Sequence, residues 1–393
     1  MTLIEDNKVI SQAYMTRDKL KEIASAIDSN NISPEAGINL LKRSNLMNLL
    51  IPVEFGGGGG GLQLASDVAQ ILASGCLSTS MMWGMHCQQI MTLIENRNND
   101  NNHIEQTIKN ISQNQEYIAS VTTEVEKGGD LFSAQSALSW ISENEFILDR
   151  EGPIVTGGNL ADFFLITVRR ESSSLKNDVL LVLARKNELE IRQLSSWNPL
   201  GMRGTNSNGI HLYGKLERAN IVILNNFEKI TQRTLIPVGH IMWASSWLGA
   251  TKDIYHKMIR IIRENHNKRY SNKSDYLYIK LSQVRLIIDT VDVYLRNMLV
   301  EYEDFRKASY EYPSKRFNIN INNLKIFASE ELFKATDLLM DIAGMNLGYL
   351  KNEKIPIERA FRDLRSAKLM YHNDRLAMAN GKLSLFDSDL LPR

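Results

Sequence analysis

Cysteine is almost missing from this chain: Cys76 and Cys87 are the two in 393 residues. A disulfide framework needs more, and both lie in one apolar helical stretch, so they read as buried thiols in a reducing compartment. No uninterrupted run of about 20 apolar residues occurs, so no helix is expected to span a membrane. The start, Met1-Thr2-Leu3-Ile4-Glu5-Asp6, has no basic segment leading into an apolar core. No secretory signal is therefore expected, and the chain is expected to be cytoplasmic. An excess of one charge is also lacking, since 46 Lys+Arg against 45 Asp+Glu leave a net +1. Nothing calls for nucleic acid or a membrane surface, and even the basic stretch Lys252 to Lys273 reads first as a solvated helix and loop. The seven histidines and two cysteines show no HxxxH, CxxC or HExxH spacing, so no metal centre is expected. There is no Gly-x-Ser-x-Gly elbow for a serine hydrolase. Gly56 to Gly61 are followed by Leu62-Gln63 instead of the lysine and hydroxyl residue of a phosphate loop. Gly201-Met202-Arg203-Gly204 lacks the GxGxxG spacing.

What is present is enough apolar sequence, 43% of the chain, to bury a sizeable core. It is arranged in three textures. Residues 1–115 are helical, interrupted where Ile51-Pro52-Val53-Glu54-Phe55 meets the six glycines, because proline removes a donor and glycine favours the unfolded chain. The glycine run reads as a flexible surface loop. Residues 116–230 carry short β-branched and aromatic runs: Tyr117–Val121, Phe146–Leu148, Phe163–Val168, Val179–Leu183 and Ile221–Ile223. Polar turns separate them, which predicts a small β-barrel or sandwich. Residues 231–393 return to helix. Leu277, Leu281, Val284, Ile288, Val291, Leu295, Met298 and Tyr302 step by fours and threes, the seam of a long helix in a bundle. Further helices are predicted near 234–266, 322–345 and 357–380. The class is α+β: helical region, β-barrel, four-helix bundle.

Five segments in this order carry a resemblance. Ile51-Pro52-Val53-Glu54-Phe55-Gly56-Gly57, Thr123-Glu124 with Gly128-Gly129-Asp130, and Thr156 with Ala161-Asp162 come first. Leu200-Gly201-Met202-Arg203-Gly204-Thr205 and Pro356-Ile357-Glu358-Arg359-Ala360-Phe361-Arg362-Asp363 complete the set. Together they resemble the acyl-CoA dehydrogenases across about residues 35 to 385. The resemblance implies FAD, or alternatively FMN or a loosely held reduced flavin, between the middle β-region and the C-terminal bundle. An isoalloxazine needs a flat apolar slot with a few hydrogen bonds at its edge. By the resemblance, Thr122, Thr123, Ile154, Val155, Thr156, Gly344 and Asn373 are the expected cofactor contacts. Gly129, Trp243 and Trp247 are the expected substrate walls. The plainer reading of each threonine is an ordinary strand residue, and of the tryptophan pair, core packing.

The family's catalytic glutamate is missing. Nine residues after Arg362 stands Tyr371, in Met370-Tyr371-His372-Asn373-Asp374, and the family's other position falls near Val238-Gly239-His240. The α-proton lost in dehydrogenation needs an acceptor, and a positioned base supplies roughly 10²–10⁴-fold of rate. His372 is the first candidate, with Tyr371 and Asp374 behind it. A histidine that merely caps a helix or faces solvent is the alternative. Three functions follow from the resemblance. One is α,β-oxidation of an acyl thioester on CoA or a carrier protein, handing electrons to an acceptor. Another is a two-component monooxygenase fed by a flavin reductase. The last is an inactive flavin-binding homologue serving as a protein partner. A homodimer or homotetramer is the expected assembly.

Overall fold

The computed structural model describes residues 3–96, 102–125, 130–264 and 275–387. Five helices come first: α1 (Leu3–Asp28), α2 (Glu35–Arg43), α3 (Leu62–Ala73), α4 (Leu77–Glu95) and α5 (Asn102–Asn114). Between α2 and α3 the glycine run is not the free loop that its composition suggests. Gly58, Gly59 and Gly60 donate backbone N–H groups to Asn48, Ile51 and Leu49 at 3.0, 2.8 and 2.8 Å. The run thereby folds back on the segment before it. A Cβ at Gly57 would stand 2.1 Å from the Ile51 carbonyl oxygen, so glycine is there to let two backbones touch.

Eight strands follow: β1 (Ile118–Val121), β2 (Ser139–Trp140), β3 (Glu145–Gly152), β4 (Phe163–Arg169), β5 (Val179–Arg185), β6 (Glu190–Ser195), β7 (Gly209–Glu217) and β8 (Ile221–Ile223). They form two four-stranded sheets, ordered β1-β4-β5-β8 and β2-β3-β7-β6. β1 runs parallel to β4, whereas the other pairings are antiparallel. Six consecutive residues of β4 and of β5 are buried, as expected of strands covered on both faces. The second half of β3 and most of β7 alternate buried and exposed, so one face of that sheet meets water. β2, β6 and β7 lie outside the apolar runs of the sequence: β2 is two residues long, β6 is mostly polar, and glycine, histidine and lysine interrupt the apolar residues of β7.

The remainder is helical: α6 (Phe227–Ile230), α7 (Ile236–Glu264), α8 (Asp275–Lys307), α9 (Lys315–Gly344), α10 (Ile357–Leu364) and α11 (Asn373–Ser384). The expected seam of α8 is buried except Leu281, which is half-buried. Its outer face leaves Ile279, Leu286, Val293 and Val300 exposed at seven-residue steps. The single helix expected over 357–380 is instead two. Tyr371 and His372 take φ of 49° and 41°, a left-handed pair that no α-helix accommodates, and the chain turns there.

Three distant segments meet at one joint. Met202 N–H donates to Asp363 Oδ1 at 2.5 Å, and Arg362 forks onto both Asp28 carboxylate oxygens at 3.0 and 2.6 Å. This explains why Leu200-Gly201-Met202 and Arg362-Asp363 occur together: a Cβ at Gly201 would lie 2.0 Å from the Arg362 carbonyl oxygen. Gly201→Ala should therefore lower stability by about 3 kcal/mol, the cost of forcing a methyl into packed backbone. Urea denaturation checks it, and a loss under about 1 kcal/mol would mean that the joint gives way easily.

Candidate functional site

The end of β1 is fixed by a buried ion pair. Arg150 points inward from β3 with no exposed surface, its Nε 3.7 Å from Glu124 Oε1. Its other donors reach backbone carbonyls: Thr167 at 3.1 Å, Thr123 at 2.9 Å, and Glu151. Burial pulls the guanidinium down to about 10, and Glu124 works against that shift, so the group stays charged at neutral pH. Glu124 in turn accepts the Gln135 and Ser136 N–H groups at 2.9 and 2.8 Å. The backbone of Thr122-Thr123 is thus held from behind. Thr123 Oγ1 donates to the Ile154 carbonyl at 2.9 Å, which brings the 154–156 turn alongside. The Thr156 hydroxyl lies 3.0 Å from that of Ser207, and the Thr156 carbonyl accepts from Tyr117 Oη at 3.2 Å.

Tyr371 closes the site from the bundle side. Its phenol hydrogen-bonds Thr122, and burial pushes its pKa up to about 12, so it is a hydroxyl and not a phenolate at neutral pH. The ring packs against Trp243 of α7 at 5.1 Å and against His240 at 6.4 Å between centroids. His240 and Trp243 are themselves 5.6 Å apart. His240 is 1% exposed, and burial, aided by nearby Lys325, pulls its pKa down to about 3. It is therefore neutral. Its Nδ1 lies 3.3 Å from the Ile321 carbonyl, which can only accept, so Nδ1 carries the proton and Nε2 presents a lone pair. That Nε2, and the Trp243 Nε1–H, are buried without a hydrogen-bond partner. Unmade buried hydrogen bonds cost roughly 1–3 kcal/mol each, so one unpaired acceptor and one unpaired donor side by side set this aromatic cluster apart.

Of the residues expected from sequence, the fold thus gathers Thr122, Thr123, Ile154 and Thr156 on one side, Tyr371 and Trp243 on the other. Val155 is buried beneath them. Others lie elsewhere. His372 and Asp374 are exposed at the start of α11. Trp247 is 1% exposed in the core, one turn beyond Trp243. Gly344 ends α9 at φ 69°, with no atom within 4 Å of where a Cβ would stand. Asn373 is occupied by Lys325, Ser329 and Glu330. Gly129 lies outside the described residues. Sequence reasoning missed Arg150 and Lys325 and passed over His240 because it is not a carboxylate.

Comparisons with known proteins agree with this architecture. Residues 12–101 match the family model of the acyl-CoA dehydrogenase N-terminal domain. Cyclohexane-1-carbonyl-CoA dehydrogenase of Geobacter metallireducens is 20% identical over 371 residues, covering 93% of each chain. Butyryl-CoA dehydrogenase of Megasphaera elsdenii superposes with a TM-score of 0.83 at 15% identity, over 98% of this chain and 99% of that one. This is the acyl-CoA dehydrogenase fold. FMN-bound TdsC of Paenibacillus sp. A11-2, a dibenzothiophene monooxygenase, shares the fold with a TM-score of 0.84 at 13% identity, over 96% and 97% of the two chains. The acyl-CoA dehydrogenase fold therefore frames the Tyr371 cluster at the junction of the β-region and the helical bundle. Among the described residues no helix is long and apolar enough to cross a membrane, and no cluster of metal-ligating side chains occurs.

Proposed function

We propose that this protein is a flavin-dependent oxidoreductase that oxidises the α,β-bond of an acyl thioester, on CoA or a carrier protein, without a glutamate base. The observation that carries this reading is the meeting of Tyr371 and His240. By the resemblance Tyr371 falls at one position of the family's glutamate and His240 near the other, and the half-buried Tyr371 ring packs against the buried His240 ring. A bound flavin, FAD or FMN, supplies the two-electron acceptor. Thr122, Thr123 and the backbone of 154–156 are the groups that would hold its edge. The unpaired Trp243 Nε1–H and His240 Nε2 fit a ligand with both an acceptor and a donor. The α-proton would go to the unpaired Nε2 of His240, and Tyr371 would orient the substrate by donating a hydrogen bond. The buried rings of His240 and Trp243 make a low-dielectric wall, which strengthens hydrogen bonds formed against it.

The monooxygenase reading has its own support. Tyr371 and His240 are both neutral at pH 7, so the cluster offers hydrogen bonds instead of a strong carboxylate base. We also propose assembly as a homodimer or homotetramer. Its support is the apolar stripe Ile279, Leu286, Val293 and Val300 on the outer face of α8, which a second bundle could cover.

The test is an absorbance spectrum of the purified protein, with released flavin identified by mass. A yellow protein with about one flavin per chain, bleached anaerobically by an acyl-pantetheine thioester, is the expected result. A colourless protein that captures reduced flavin and turns over only with a reductase would establish the monooxygenase reading instead. Failure to bind either form of flavin would overturn both.

A further inference from the structure

Lysine is seldom fully buried, yet Lys325 of α9 has no exposed surface. Its Nζ donates to the Met370 carbonyl and, at 2.7 Å, to Asn373 Oδ1. These two acceptors lie on either side of the left-handed pair Tyr371–His372. Asn373 is fixed in turn, because its amide nitrogen donates to Ser329 Oγ at 3.0 Å and Glu330 Oε1 at 2.8 Å. The lysine is therefore a strut across the turn that aims Tyr371 at Thr122.

The hydrogen-bond inventory also bears on its charge. An ammonium carries three N–H donors and a neutral amine two. Lys325 meets two acceptors, and among the described residues no carboxylate forms an ion pair with it. A third N–H would be buried without an acceptor, whereas the neutral amine places both of its N–H groups. We propose that Lys325 is the positioning residue of the site: as a neutral amine it holds the Met370–Asn373 turn, and thereby keeps Tyr371 in the aromatic cluster. This rests on the functional reading above for the importance of Tyr371, but not for the state of the lysine itself. Burial supports it independently by pulling the lysine down to about 7, against the partial compensation of Glu330. The ionisable groups that interact with the charge of Lys325 are His240 from α7 and Glu330 from α9 itself. His240 stays neutral well below pH 7 and cannot supply a transition there.

Gain of a proton at Lys325 as pH falls through about 7 should loosen the turn. The experiment places 3-fluorotyrosine at position 371 of the full chain and follows its ¹⁹F resonance from pH 5.5 to 8.5. It is done in a His372→Gln background, to remove the exposed imidazole beside the probe. The expected result is one transition centred near pH 7. Lys325→Gln, which keeps two donors and cannot charge, should hold the high-pH resonance throughout. Lys325→Arg, always charged, should hold the low-pH one. No transition, or one that survives Lys325→Gln, would overturn the proposal. The titration needs no flavin, so failure of flavin binding condemns the functional reading alone, and failure of the titration condemns the strut alone.

Discussion

Replacing Arg150 with methionine should lower the stability of the fold by about 3–5 kcal/mol, because it strips the counter-charge from a buried carboxylate. The guanidinium is wholly enclosed, pairs with Glu124, and reaches the carbonyls of Thr123, Glu151 and Thr167. Removing it leaves three acceptors and one charge to be resolvated or left unmet. Urea denaturation measures the loss, and an unchanged slope would show that the unfolded state is not what moved. Arg150→Lys should recover little, since an ammonium cannot fork to several carbonyls. On the proposed function, Arg150→Met should also weaken the binding of flavin, because Thr122-Thr123 loses its backing. A cost below about 1 kcal/mol would mean that the pair is incidental to the site.

Tyr371→Phe is expected to act oppositely, sparing the fold and depressing turnover by roughly 10²-fold, the usual scale for one well-placed donor at a reacting centre. The ring remains to pack against Trp243, so the thermal midpoint should barely move. The phenol holds its proton up to about pH 12, and its loss should lower the pH–rate profile without changing its shape in the neutral range. Steady-state rates of variant and wild type at equal flavin occupancy decide it. Undiminished turnover would reduce Tyr371 to a packing residue.

Much of the fold could be read from residue order alone. The α8 seam and the apolar strands β4 and β5 were legible because burial on one stripe or on both faces leaves a period in the sequence. The strands β6 and β7 were not, since no residue of β6 is buried and β7 is placed by pairing with β3, far away in sequence. The last helix was misjudged for a different reason. Nothing in Met370-Tyr371-His372 forbids a helix locally; α10 already ends at Leu364, and the turn that follows is held by Lys325, 45 residues earlier, through the Met370 carbonyl. The site was half legible. Tyr371 was located by counting from Arg362, but its inward direction and the outward one of His372 depend on that turn. Arg150 and Lys325 did leave a trace: Phe146, Leu148 and Arg150 alternate inward on β3, and Leu324, Lys325, Ala328 and Leu332 share the buried stripe of α9. A charged residue where the period demands an apolar one was the available signal.

The joint of Asp28, Gly201-Met202 and Arg362-Asp363 constrains how the chain is born. Asp28 emerges from the ribosome long before its guanidinium partner, which is 334 residues later in the sequence. The surfaces that α10 covers must stay open to water throughout translation, with closure delayed until almost the entire polypeptide is free. Truncation before α10 would then yield not a smaller enzyme but a persistent chaperone client, and supplying the missing segment as a separate peptide would be the way to release it.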